Sequence, residues 1–225
     1  MYNPALKNGL EPGTQFRIST EKVRILLDQA VEMMTSSKDP SHGLEHINNL
    51  LQETGRFFES TGNKFEINKE ILLLALYWHD VWKSQIKPSW KNFLFLQLYE
   101  GLGSMFLFKK HARVAGLSPE ITRTVSYAIR KHSIFQGLPA RTLEAQLLWD
   151  MDTLDVWNSQ RTRVVMRNLG AVNISIFDSY IRYMKKSGIH LYFEWTRNEV
   201  RKLAPLFFQE MSKFRESLIK AGNGQ

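Results

Sequence analysis

The sequence predicts an all-α protein. Apolar residues recur at three- and four-residue spacing through most of the chain, and no stretch alternates convincingly with the period of two that marks a half-buried strand. Ser, Asn, Pro and Gly fall at the ends of the periodic segments, where helices start and stop. With 225 residues, 43% of them hydrophobic, the chain can bury a sizeable core, and one globular unit is expected over 20–221.

Residues 1–19 carry Pro4, Gly9, Pro12 and Gly13 with few apolar residues and read as an irregular lead-in. From Thr20 to Lys38, Val23, Leu26, Leu27, Ala30, Val31 and Met34 share one face of a helix. Asp39-Pro40-Ser41 breaks it. A second helix is expected from His42 to Ser60, stopped by Thr61-Gly62-Asn63. Asn68 then caps a helix through Ile71-Leu72-Leu73-Leu74-Ala75-Leu76-Tyr77-Trp78, which is apolar all round, belongs in the middle of the protein and ends at His79-Asp80. The aromatic stretch from Trp90 to Ala115 reads as two helical pieces about Gly101-Leu102-Gly103, a bend or close contact. Ser118-Pro119-Glu120 opens a helix to His132, Gly137-Leu138-Pro139 forms a loop, and Thr142 to Asn168 reads as one long or bent helix. Further helices cover Ile174–Lys186 and Arg197–Lys220, and hydrophobic residues such as Phe193, Trp195, Phe207 and Phe208 pack the C-terminal helix onto the domain or onto a second copy in a homo-oligomer.

The chain has no cysteine, which excludes disulfides, thiolate metal sites and a cysteine nucleophile. The net charge of +8 favours anionic partners, but the basic residues occur as dispersed pairs such as Lys109-Lys110 and Arg201-Lys202. No nucleic-acid-reading motif accompanies them, so nucleic acid is an unlikely partner. No signal organisation and no apolar run of the ~20 residues needed to span a bilayer is present; a soluble cytoplasmic protein without membrane association is expected.

His79-Asp80 sets a carboxylate beside an imidazole at the end of an apolar helix, where a divalent cation would compensate both. His46 lies on the second helix, four residues from His42, and Asp152 on a later apolar helix. Taken singly, each is equally well a hydrogen-bonded core histidine, a cap or half of a salt bridge. The order H…HD…D on successive helices, however, resembles the HD superfamily of metal-dependent phosphohydrolases. Ser41-His42-Gly43-Leu44-Glu45-His46 is similar to the family's HGxxH opening, and Leu74 to Asp80 to its apolar run into HD. Ser118-Pro119-Glu120 through Ile129-Arg130-Lys131-His132-Ser133 is similar to its helix ending in His-Ser, and Trp149-Asp150-Met151-Asp152-Thr153-Leu154-Asp155 to its QDADxLD segment. The likeness covers about residues 20 to 160, with a weaker echo at Thr196 to Ala204.

The resemblance implies an HD-domain helical bundle with additional C-terminal helices. It implies His46, His79, Asp80 and Asp152 as ligands of one divalent metal, with His79 and Asp80 also the catalytic pair. Nitrogen and oxygen ligands suit Mn, Fe, Co, Ni, Mg or Zn without choosing among them. The implied reaction is hydrolysis of a phosphate ester or anhydride of a nucleotide or small phosphorylated metabolite by a metal-activated water. Lys83 resembles the Lys of HDxGK and would hold a phosphate oxygen, or else is a surface lysine after a helix end. His42 would bind phosphate or assist proton transfer, or support the ligands by a hydrogen bond. His132 would face the cleft, or serve its helix C-terminus. Asp155 would stand behind the ligands, and Asp150, on another side of the helix, reads as structural. A second metal would call on His111 and His132, with Ser104 on the face of His111. The family often carries Arg where this chain has Asn49 and Thr153, and Gly where it has Trp82. Those departures raise the alternative of a catalytically degenerate HD domain that binds metal and a phosphorylated ligand for regulation.

Overall fold

Thr20 starts the first helix, α1 (Glu21–Thr35), by accepting a hydrogen bond from Val23 N, and the six apolar residues named above are all buried along its inner face. The computed structural model describes residues 20–62, 64–89, 91–132, 139–168, 174–186 and 190–222. The lead-in at 1–19, Asn63, Trp90 and most of the Ser133 to Pro139 loop lie outside them. The described residues are helical, with no strand among them.

After α1, Asp39 caps a single 3-10 turn (Pro40–His42), and α2 follows at Leu44–Thr61. His42 therefore stands in the turn before α2 rather than on it. Helix α3 (Lys69–Trp78) begins where Asn68 Oδ1 accepts from Glu70 N and Ile71 N, both at 3.1 Å. From Leu72 to Trp78 every side chain is buried. Helix α3 touches α1 and α2 and, later in the chain, α5 (Phe93–Val114), α6 (Pro119–Lys131) and α7 (Leu143–Val156). This all-round burial is why its sequence has no polar face. The indole N–H of Trp78, which would be costly to bury unpaired, donates to Leu26 O at 3.0 Å.

Between α3 and the short α4 (Val81–Ser84), Asp80 has φ −112° and ψ 5°, the sparsely populated bridge conformation found where a chain turns to aim a side chain. Helix α5 is one continuous element of 22 residues, not two pieces. Its glycines mark close approach instead of a bend: a Cβ at Gly101 would lie 2.9 Å from Arg130 O on α6, and one at Gly103 would overlap the Trp82 ring. The stretch expected as one long or bent helix is divided into α7 and α8 (Ser159–Asn168). Asn158 makes the break by accepting from Gln160 N and Arg161 N at 3.0 and 3.3 Å.

Helices α9 (Ile174–Lys186) and α10 (Glu194–Gly222) complete the described chain, α10 starting three residues earlier than the sequence pattern indicates. The aromatic residues of the last segment pack onto their own domain. Phe193 and Trp195 set their rings 5.0 and 5.7 Å from that of Phe57. Phe207 meets Trp157 at 5.3 Å in a second, smaller apolar cluster with Phe177, Met166 and Met211. Asp150 tethers this end by accepting from Tyr192 N and Phe193 N, both at 2.9 Å. Its role is structural, as its side of the helix suggests.

Candidate metal centre

Four histidines converge on one point because each has its Nδ1 occupied. His46 Nδ1 lies 2.7 Å from Asp155 Oδ2, and His42 Nδ1 2.7 Å from Asp39 Oδ2. His79 Nδ1 donates to Leu76 O at 2.8 Å, and His132 Nδ1 to Ile129 O. Carbonyl and carboxylate acceptors fix the Nδ1–H form and turn every Nε2 inward. All four Nε2 atoms lie 3.3 to 3.7 Å from the Asp80 carboxylate.

His46, His79, Asp80 and Asp152 each present a ligand atom, all within 4.8 Å of one another. The two ligand histidines face each other, His46 Nε2 and His79 Nε2 being 3.1 Å apart. Burial and the nearby Arg161 charge hold the His46 pKa well below its ordinary value, so this imidazole is neutral. Its Nδ1–H is spent on Asp155, and its Nε2 therefore presents a lone pair toward the matching nitrogen of His79. Asp80 Oδ1 and Asp152 Oδ1 are buried and accept no hydrogen bond from the described residues. A ligand-histidine lone pair and unpartnered carboxylate oxygens turned toward one point are an arrangement that a cation satisfies. Two imidazoles and two carboxylates match a divalent ion in charge and leave coordination positions open. Burial alone would raise the carboxyl pKa of both Asp80 and Asp152. The His79 and His42 imidazoles and Lys83 around Asp80, and Arg161 beside Asp152, instead hold both below the ordinary range and keep them ionised.

The other named residues surround this set. Asp155 stands behind His46. Lys83 is no surface lysine: it is buried, lines the cavity and pairs with Glu100. Burial works against its charge, but Glu100 and Asp80 outweigh it, and the ammonium is retained. His132 Nε2 is 3.5 Å from Asp80 Oδ1, too far for a good hydrogen bond. Burial would depress the His132 pKa, yet the Asp80 carboxylate, with Glu100 and Asp152 behind it, raises it to about 9. Asp80, Glu100 and His132 form a second group with ligand atoms within 4.8 Å. His111 is elsewhere, its Nδ1 2.9 Å from Gln29 Oε1, while Ser104 Oγ accepts from Trp82 N. Neither belongs to the cluster.

The sequence reading missed Arg161, Asp39 and Glu100. Arg161, half-buried on α8, reaches back to Asp155 at 3.0 Å and Asp152 at 3.5 Å and donates to Ser41 O at 3.3 Å. Asn49 also donates to Asp155 Oδ1 at 3.4 Å. A signal existed: buried Asp155 needs a cation, and its own helix supplies none.

The cluster forms one end of a cavity of about 530 Å³ whose wall includes Trp149, Thr153, Val165, Tyr180 and Met184. No described helix is long and apolar enough to cross a membrane. No protein-family model, curated protein or solved structure matches the chain.

Proposed function

We propose that this chain is an HD-superfamily metal-dependent phosphohydrolase acting on a nucleotide or another small phosphorylated metabolite. The observation that carries the reading is the set of four ligand atoms from His46, His79, Asp80 and Asp152, with facing histidine nitrogens, opening onto a cavity of substrate size. A divalent cation held there would supply positive charge for a phosphoryl oxygen and lower the pKa of a water.

The chain's own groups then have separable tasks. Arg161, held by Asp155 and the Ser41 carbonyl, lines the cavity and would set guanidinium charge beside a bound phosphate. Lys83 adds a point charge. In hydrolysis a water oxygen bonds to phosphorus, the P–O bond to the leaving group breaks, and the leaving oxygen takes up a proton. His132, facing Asp80, and His42, backed by Asp39, are the two imidazoles that would hold and move that proton.

The test is inorganic phosphate release from a panel of nucleotides and phosphate esters with Mn, Mg, Co or Ni, comparing the native chain with Asp80→Ala and Arg161→Lys. Asp80→Ala should lose both bound metal and turnover. Arg161→Lys should keep metal stoichiometry but lose on the order of 10²-fold in kcat/KM, the scale of removing one preorganised donor. Turnover that survives Asp80→Ala overturns the reading. Stoichiometric metal with no turnover favours the regulatory module, for which the absent family arginines were the argument.

A further inference from the structure

Every charged side chain that lines the cavity belongs to the metal cluster. Asp39 holds His42, His42 faces Asp80, His132 faces Asp80, Lys83 pairs with Glu100, and Arg161 lies against Asp152. The cations there are already shared with these acids, leaving the metal with the Arg161 and Lys83 charges beside it for a single phosphoryl group. Beyond the cluster the described wall is mostly apolar, with Trp149, Val156, Val165, Met166 and Met184 beside the neutral polar groups of Gln97, Thr153, Thr162 and two tyrosines, and it carries no Lys or Arg. A second or third phosphate bound in line with the first would face neutral, mostly apolar side chains without a counter-charge, which is costly. An apolar or aromatic group in the same place gains from burial.

From this division we infer that the cavity takes a phosphate monoester with an apolar or aromatic organic group, and disfavours di- and triphosphates. The inference rests on the reading of the cluster as a phosphate-binding metal site, and it narrows the substrate class of that site.

Phosphonates resist hydrolysis, so their affinity reports the cavity whether or not the protein turns over. Calorimetric titration of the manganese-loaded chain should show benzylphosphonate binding at least about tenfold more tightly than methylphosphonate. It should also bind more tightly than the β,γ-methylene analogue of adenosine triphosphate. Val165→Arg, which sets a cation into the apolar wall, should bring the triphosphate analogue up by about fivefold or more and narrow its gap to benzylphosphonate. Equal affinity for the two simple phosphonates, tightest binding of the triphosphate analogue, or no phosphonate binding at all would overturn the inference. Phosphate release from phenyl phosphate is measured in parallel. If none is released while the benzyl preference holds, hydrolysis fails and the ligand class stands. If phosphate is released from glycerol phosphate and adenosine triphosphate as readily as from phenyl phosphate, hydrolysis stands and the ligand class fails.

Discussion

Asp39 shows how much of the centre depends on residues that carry no motif. Its Oδ1 accepts from Ser41 N and Ser41 Oγ at 3.0 and 2.6 Å, and its Oδ2 meets His42 Nδ1 at 2.7 Å. Burial would raise its pKa, but the hydrogen bond and charge of His42 and the bonds from Ser41 lower it from 3.8 to about 2. A carboxyl whose pKa is depressed by folding contributes stability above its unfolded value and loses it as pH falls through the folded one. The contribution is on the order of 2 kcal/mol at neutral pH. Urea unfolding of the native chain and Asp39→Asn should therefore differ most near neutrality, and the gap should close between about pH 4 and 2. Parallel pH profiles would show that Asp39 acts by packing alone. His46, His79, Asp80 and Asp152 were legible because their order and apolar context mark them out. Asp39, Glu100 and Arg161 were not, because what brings each to the cluster is a turn, a helix face and a helix break that no spacing in the chain records.

At the scale of elements, caps and periodicity located most helix starts, since a Thr, Asn or Ser oxygen satisfying the first free N–H groups is a local event. Glycine was ambiguous because a bend and a close approach use the same residue. Gly101 resolves to close approach, for its missing Cβ lets α5 rest on the Ile129 and Arg130 carbonyls of α6. In Gly101→Ala two effects compete. The helix gains about 1 kcal/mol in propensity, while overpacking against backbone that cannot rotate away costs about 1–3 kcal/mol. The second should win, lowering Tm by a few degrees in a chain of this length. An unchanged or higher Tm would mean that α5 and α6 can separate without loss. The division of α7 from α8 has the same character: Asn158 caps α8, but the apolar pattern on either side continues as if the helix did. The break turns Arg161 toward Asp155, so an element boundary decides the electrostatics of the site.

Across the whole molecule, α3 supplies the organising contact, with α1, α2, α5, α6 and α7 around it and His79-Asp80 at its exit. A ligand set drawn from α2, the α3–α4 turn and α7 exists only when these elements are docked, and an unfolded chain holds no such set. Metal binding should therefore add to folding stability by mass action, by about 2.7 kcal/mol at a free concentration one hundred times Kd. For a chain of this length that corresponds to a rise in Tm of roughly 5–10 °C. Differential scanning calorimetry with manganese added, then with excess chelator, should show the rise and its reversal. Asp80→Ala should show neither, even if its own Tm is close to that of the metal-free native chain. The amount of metal bound carries information beyond the rise. Because Lys83 already pairs with Glu100, an ion limited to the four-ligand set should give one equivalent in a calorimetric titration, whereas two equivalents would require Glu100 to exchange Lys83 for a metal shared with Asp80 and His132.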